Sequence, residues 1–241
     1  MTTNMDLTEI RDVSWIGEEF LRPPVRGVVL SFHGLGQTGA KSGPTTEEIA
    51  WAQAGGLVVF PYYGPWSWMN RAARAFVDDL VDAIYRHYKI PDSAPLISTG
   101  GSMGGCSSLL YTRYARRPVA ACLAACPVCD VKYHFSERPD LPRTFRHAFR
   151  GYQEPWDEIL AEHSPLAQAA RMPDIPYMIV HGDKDKAVNK ARHSDKLVAA
   201  LRKRKLNVRY VEVPGMGHGS AVPIDAILAQ QDFVCGVLEG R

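Results

Sequence analysis

A serine set among glycines offers the first chemistry. Gly100-Gly101-Ser102-Met103-Gly104 reads G-x-S-x-G, between the apolar run Leu96 to Thr99 and a helix-like stretch through Arg116. A sharp strand-to-helix turn of this kind strains the serine backbone and pushes its hydroxyl outward. Small residues belong two positions to either side, because strand and helix pass close there. The plainer reading is a Gly-rich turn that packs tightly or holds a phosphate. The flanking strand and helix favour a nucleophile.

A serine hydroxyl is a poor nucleophile at neutral pH, so it needs a base, and the base an orienting acid. In a strand–turn–helix nucleophile arrangement the order is Ser, then acid, then His. His218 suits the base: it lies in Gly215-Met216-Gly217-His218-Gly219, just after the last strand-like run. His33 stands upstream of the serine, His181 precedes the acid loop, and His193 opens a helix. His87 ends a helix, and His134, His147 and His163 fall in an irregular segment. Asp183 and Asp185 both follow the strand ending at His181, and spacing does not choose between them. One of the two is expected to cap the turn. A tetrahedral oxyanion needs preorganised amides. Met103, opening the helix after Ser102, supplies one, and Leu35 in His33-Gly34-Leu35-Gly36 the other.

The elements that must position these groups alternate between strand and helix from about Arg26 onward. Val28 to Phe32, Leu57 to Phe60, Leu96 to Thr99, Val119 to Cys126, Tyr177 to His181 and Val208 to Val213 read as strands. Arg71 to Tyr88 carries Ala73, Phe76, Val77, Leu80 and Ile84 at helical spacing. Thr45-Thr46-Glu47-Glu48 is a capping box opening a helix that ends at Gly55-Gly56. His193 to Lys203 and Ile224 to Leu238 complete the helices. This alternation predicts one α/β domain with a mostly parallel central sheet and helices on both faces. Residues 130–172 interrupt it and read as a cap insertion over one end of the sheet. Thr8 to Leu21 is expected to add one or two edge strands.

Phe32-His33-Gly34-Leu35-Gly36, the G-x-S-x-G turn, His181-Gly182-Asp183-Lys184-Asp185-Lys186-Ala187-Val188 and the His218 loop together resemble the α/β-hydrolase superfamily. They are most similar to small esterases and to the catalytic domain of the prolyl oligopeptidase family. The resemblance runs from about Arg26 to the C-terminus. In those families the acid stands in an H-G-x-x-D-x-x-V pattern, which falls on Asp185 with Val188 following. It implies a serine hydrolase that cleaves carboxylic esters through an acyl-enzyme, with no metal and no cofactor. The chain has no propeller-sized segment ahead of the resemblance, which weighs against peptides. A peptidase or amidase is the first alternative, and a non-catalytic ligand-binding protein of the same fold the second.

Other features set bounds. The net charge of +2 gives no footing for nucleic acid or an anionic membrane. Arg202-Lys203-Arg204-Lys205 reads as a solvated helix end. The polar, acid-bearing start does not resemble a signal peptide, and no apolar run reaches membrane length. Five cysteines, an odd number, imply no disulfide framework and suggest a cytoplasmic protein. Cys126-Pro127-Val128-Cys129 has no second pair, so packing is its reading rather than metal binding. Arg138, Arg143, Arg146, His147 and Arg150 read as a solvated face sooner than an acid-binding one. Trp66, Trp68, Met69 and Asn70 follow a strand's carboxyl end, where α/β sheets place ligands. Trp66, Trp68 and Tyr133 are expected to line an acyl pocket for a small-molecule ester, though the loop could equally be a packed aromatic turn. The sequence leaves the oligomeric state open, a homo-oligomer included.

Overall fold

Strand-forming apolar runs and helix-forming amphipathic runs alternate along the chain, and each strand finds its neighbours in one sheet. The structure, a computed structural model, describes residues 5–38 and 41–241. Its elements in chain order begin with α1 (Leu7–Val13), β1 (Ser14–Ile16), β2 (Gly27–Phe32), α2 (Thr46–Gln53), β3 (Gly56–Pro61), α3 (Arg71–His87) and β4 (Leu96–Gly101). They continue with α4 (Met103–Tyr114), β5 (Val119–Ala125), α5 (Val131–His134), α6 (Leu141–Ala148), α7 (Trp156–Glu162), α8 (Pro165–Gln168), β6 (Tyr177–Gly182), α9 (Ser194–Lys203), β7 (Val208–Val213) and α10 (Ile224–Leu238).

The sheet order is β1-β3-β2-β4-β5-β6-β7. Among the described residues only β1 runs antiparallel, pairing Trp15 with Phe60; the other neighbours are parallel. From β2 the chain first steps to β3 on one side and then to β4 on the other. That reversal opens a crevice at the carboxyl ends of β2 and β4, where open α/β sheets take ligands. Phe32 pairs with Gly100 across it, so the loops starting at His33 and at Ser102 emerge side by side.

Strand alternation divides the core. Val28, Leu30 and Phe32 join Val77, Leu80 and Ile84 of α3 and Met103 and Leu110 of α4 on one face. Val29 points the other way, toward Trp51 of α2 and Val234 and Leu238 of α10. Each such side chain, fully buried, contributes about 1.5–3 kcal/mol. Helix ends follow the sequence signals. Thr45 and Glu48 form a reciprocal capping box at α2, and the Asn70 side chain accepts from the Ala73 amide at the start of α3.

The N-terminal segment supplies one expected edge strand, β1, and before it a helix that the expectation did not include. Asp6 and Glu9 cap each other's backbone amides, which starts α1, and Ile10 is its one buried residue. Residues 130–172 hold four short helices, α5 to α8, between β5 and β6. Phe145 and Phe149 of this segment are buried and pack with α3 and α4. Among the described residues no helix is long and apolar enough to cross a membrane.

Candidate active site

The turn between β4 and α4 holds Ser102 at φ 58°, a left-handed conformation that costs a non-glycine residue roughly 1–3 kcal/mol. The surrounding backbone enforces it: the Ser102 amide donates to Ala125 (2.9 Å) and the Cys106 amide to the Ser102 carbonyl (3.1 Å). A Cβ on Gly104 would lie 2.1 Å from the Phe32 carbonyl oxygen, so the last glycine of the motif is required by the approach of α4 to β2. Met103 is the first residue of α4, which places its amide at the positive end of that helix.

His218 reaches Ser102 from the loop after β7. Its Nε2 lies 3.0 Å from Ser102 Oγ, and its Nδ1 lies 2.7 Å from Asp185 Oδ2. A carboxylate accepts only, so Nδ1 carries the proton and Nε2 is free to take one from the serine. The His218 loop is pinned to the end of β6. A Cβ on Gly182 would fall 2.1 Å from the Met216 carbonyl oxygen, and the Lys184 amide donates to that same oxygen (3.1 Å).

The two aspartates divide their tasks. Asp183 Oδ1 accepts from the Gly215 amide at 2.6 Å and so caps the His218 loop. The Asp185 side chain is fully buried. Its Oδ1 accepts from the Ala187 and Val188 amides, both at 2.9 Å. Its Oδ2 faces His218 and, at 3.3 Å, His181 Nε2. Burial pushes the Asp185 carboxyl upward, but hydrogen bonds from His181, His218 and the Val188 amide overcome it and hold the group well below the usual carboxylate range. His218 shifts the other way, up to about 9, chiefly through its hydrogen bond to Asp185 and secondarily through Cys126. His181, read from the sequence only as preceding the acid loop, is thus a donor to the acid. Ser194 Oγ (2.6 Å) and the Val188 carbonyl (3.1 Å) hold its ring.

Ser102 and His218 border two cavities. One, of about 290 Å³, takes Gly34 and Leu35 from the loop after β2 and Val188 from the acid loop. Trp68, His134 and Arg138 complete its wall. The Leu35 amide has no hydrogen bond among the described residues, whereas the next amide, Gly36, donates to Pro65 (2.7 Å). The other cavity, of about 250 Å³, is bounded by Ala125, Cys126, Val180, Met216 and Val222. Cys126, read as packing, therefore lies beside His218; its partner in the C-x-x-C, Cys129, is wholly buried.

Of the three aromatics expected at the acyl pocket, the structure brings Trp68 to the cavity of Ser102 and places Trp66 and Tyr133 away from it. Trp68 borders the first cavity, but it is only 1% exposed, stacked on Phe145 at 4.1 Å and donating to Thr144 Oγ1 (3.0 Å). Trp66 lies elsewhere, at a cavity lined by Tyr62, Phe76 and His147, with its Nε1 on His147 Nδ1 (3.0 Å). Left-handed backbone at Trp68 and Met69 (φ 49° and 50°) turns the loop and separates the two indoles. Tyr133 is not at the cavity either; it meets His193 edge-on and lies under Arg192. Neighbouring positions on a helix point about 100° apart, so on α5 it is His134 that faces the cavity. Trp68→Ala should cost about 3–5 kcal/mol of stability, read as a fall in the urea midpoint. A cost under about 1 kcal/mol would show that the cap does not rest on this indole.

Two trios bring three metal-ligating atoms within 4.8 Å: Cys126, His181 and Asp185, and His134, Glu137 and His193. Hydrogen bonds fix the tautomers in both. His181 Nε2 donates to a carbonyl. His193 Nδ1 accepts from the Cys129 and Asp130 amides, each at 3.0 Å, so its proton sits on Nε2, toward Glu137. In these tautomers His181 and His193 each present an N–H, rather than a lone pair, to the acid of its trio.

The prolyl oligopeptidase family model matches residues 69–239. Comparison with curated proteins found no match. Among solved structures, a puromycin-hydrolyzing peptidase of Mycobacterium tuberculosis superposes with a TM-score of 0.71 at 21% identity, over 89% of this chain and 35% of that one. An acylaminoacyl peptidase of Pyrococcus horikoshii gives 0.74 at 14%, over 92% and 38%. A truncated carbohydrate esterase from gut microbiota gives 0.70 at 17%, over 94% and 90%. The chain thus spans about a third of the length of the two peptidases. These likenesses establish the α/β-hydrolase fold. With a family model matching most of its length, the chain belongs to the prolyl oligopeptidase family of serine hydrolases.

Proposed function

We propose that the protein hydrolyses carboxylic esters of small molecules through an acyl-enzyme on Ser102. The observation that carries this reading is the relay from Ser102 Oγ to His218 (3.0 Å) to the buried Asp185 (2.7 Å). In it, His218 Nε2 takes the serine proton as Oγ attacks the ester carbonyl carbon. Negative charge developing on the carbonyl oxygen meets the amides of Met103 and Leu35. His218 then gives its proton to the departing alkoxide, and the alcohol leaves. A water, deprotonated by His218, attacks the acyl carbon; the acyl–Oγ bond breaks, the acid leaves, and His218 returns the proton to Ser102 Oγ.

Cavity chemistry favours esters over peptides with a free amino terminus. Among the described residues neither cavity beside Ser102 has an aspartate or glutamate in its wall, so no carboxylate there would pair with an ammonium group. The two cavities, small and on different sides of the serine, suit the acyl and alcohol halves of a small ester. The carbohydrate esterase, covered over 90% of its own chain, is consistent with that reading. The peptidases among the similar structures keep an amidase as the second reading.

A panel of p-nitrophenyl esters, acetyl to octanoyl, set against aminoacyl p-nitroanilides, decides between them. Esters should be turned over with kcat/KM at least 100-fold above the anilides, on the order of the discrimination a fitted site achieves. Anilides hydrolysed as fast as the esters would make the protein an amidase or peptidase. Failure of a fluorophosphonate to label Ser102 would leave the non-catalytic reading.

A further inference from the structure

The cap brings a second imidazole to the cavity of Ser102. His134 borders that cavity, with its side chain only 3% exposed. Its Nδ1 lies 2.6 Å from Glu137 Oε2, so of the two tautomers the one that pairs with Glu137 carries its proton on Nδ1 and its lone pair on Nε2. Among the described residues, the hydrogen bonds of His134 run through Nδ1 and its backbone groups. Nε2 is the edge left for the cavity. Edge contacts with Trp68 (5.5 Å), Phe145 (6.3 Å) and His193 (5.4 Å) hold the ring in place.

Glu137 is held as firmly. Its Oε2 also accepts from His193 Nε2 (3.1 Å), whose tautomer is set by two backbone amides. Its Oε1 accepts from the Asn189 amide (2.9 Å), on the loop that carries Asp185. Burial pushes the Glu137 carboxyl up, but its bonds from His134 and His193 outweigh this and bring it to about 2. It therefore stays an acceptor for the Nδ1–H of His134, and Nε2 is the ring nitrogen that Glu137 leaves unengaged. The sequence gives the cavity a donor as well. Arg138, also in its wall, uses Nε and one terminal nitrogen on Asp140 (3.0 and 2.7 Å), and a guanidinium has five N–H groups to give.

An acceptor and a donor in one small wall complement a hydroxyl, which gives one hydrogen bond and takes another. We propose that His134 determines specificity: its Nε2 accepts from a substrate hydroxyl that Arg138 donates to. The substrate class is then an ester bearing a hydroxyl near the scissile bond, either on the alcohol (a polyol ester) or on the acid (a hydroxy acid ester). The inference rests on the ester-hydrolase reading of Ser102.

Two substrate pairs test it and tell the two sources apart: glyceryl monoacetate against propyl acetate, and ethyl lactate against ethyl propionate. The hydroxylated member of one pair should have the higher kcat/KM, by about tenfold or more, because a site built to bind a hydroxyl is left unpaired without it. Which pair shows the preference identifies the side. His134→Leu should bring that ratio to about 1, whatever it does to absolute rates, and Arg138→Gln should lower it. His134→Gln, which retains an acceptor, should keep part of it. A ratio near 1 in the unmodified protein would overturn the proposal, as would a ratio that His134→Leu leaves intact while both rates fall. If Ser102 proves unreactive, a proton NMR titration of Ser102→Ala with glyceryl monoacetate and ethyl lactate still decides. One of them should bind, and adding His134→Leu should abolish its binding. No binding, or binding indifferent to His134, would sink the role of His134 separately from that of Ser102.

Discussion

Ser102→Ala is expected to abolish fluorophosphonate labelling and to lower kcat by roughly 10⁴-fold or more, as for residues that act as one unit. Without Oγ there is nothing for His218 Nε2 to deprotonate at 3.0 Å, and any remaining turnover would come from water and the amides of Met103 and Leu35. Folding should be untouched. The left-handed backbone at this position (φ 58°) strains serine and alanine alike, and the turn is held by backbone bonds to Ala125 and Cys106 that the substitution leaves in place. Intact-mass labelling and ester turnover, measured beside a urea melt, check both halves. A labelled, active alanine variant would remove Ser102 from the mechanism.

The fold was legible where burial has a period. Strands such as β2 alternate their faces between two apolar layers, and α3 repeats its buried positions every three or four residues, so both read directly from the sequence. The N-terminal segment was not legible in the same way. Its helix spans less than two turns and buries one side chain, Ile10, which is too little for a periodic signal. The signal present was of another kind: Asp6 and Glu9, three apart, form the capping box.

The relay was legible because each of its parts has a local signature: glycines around Ser102, glycines around His218, and an acid after a strand. Choosing Asp185 over Asp183 required family resemblance, since both leave the same turn. The physical reason is visible only in the fold, where the Asp185 oxygens meet the Ala187 and Val188 amides and Asp183 turns to Gly215. The His134–Glu137–His193 group had no signature at all beyond a histidine and a glutamate three apart. Glu137 and His193 are joined across 56 positions, and only the packing of the cap against the acid loop brings them together. The pocket expectation held for Trp68 and not for Trp66, for a related reason. Position at a strand's carboxyl end predicts which loop nears the site, but the direction of each indole is set by backbone at Trp68 and Met69 that no spacing rule encodes.

Asp185→Asn should lower kcat by on the order of 10⁴, and the reason lies in how many donors converge on that carboxylate. Two amides occupy Oδ1, while His218 and His181 face Oδ2. An asparagine must put an NH₂ group in place of one oxygen. With Oδ1 fixed by the amides, that group would point at His218 Nδ1, donor against donor. His218 can answer only by moving its proton to Nε2, where it no longer accepts from Ser102. The pH profile should change as well. In the unmodified protein the base works when neutral, so kcat/KM should climb with pH and level off near the raised value of about 9. Without the carboxylate that raises it, His218 should titrate lower, and the acid limb of the residual activity should move toward the ordinary histidine value of about 6.5. Asp183→Asn keeps a carbonyl oxygen for the Gly215 amide, so its kcat should stay within a few-fold of the unmodified protein. Steady-state profiles of the two variants from pH 5 to 10 separate the roles. A dead Asp183→Asn beside an active Asp185→Asn would exchange them, and an unmoved acid limb in Asp185→Asn would mean that something other than this carboxylate holds the His218 proton.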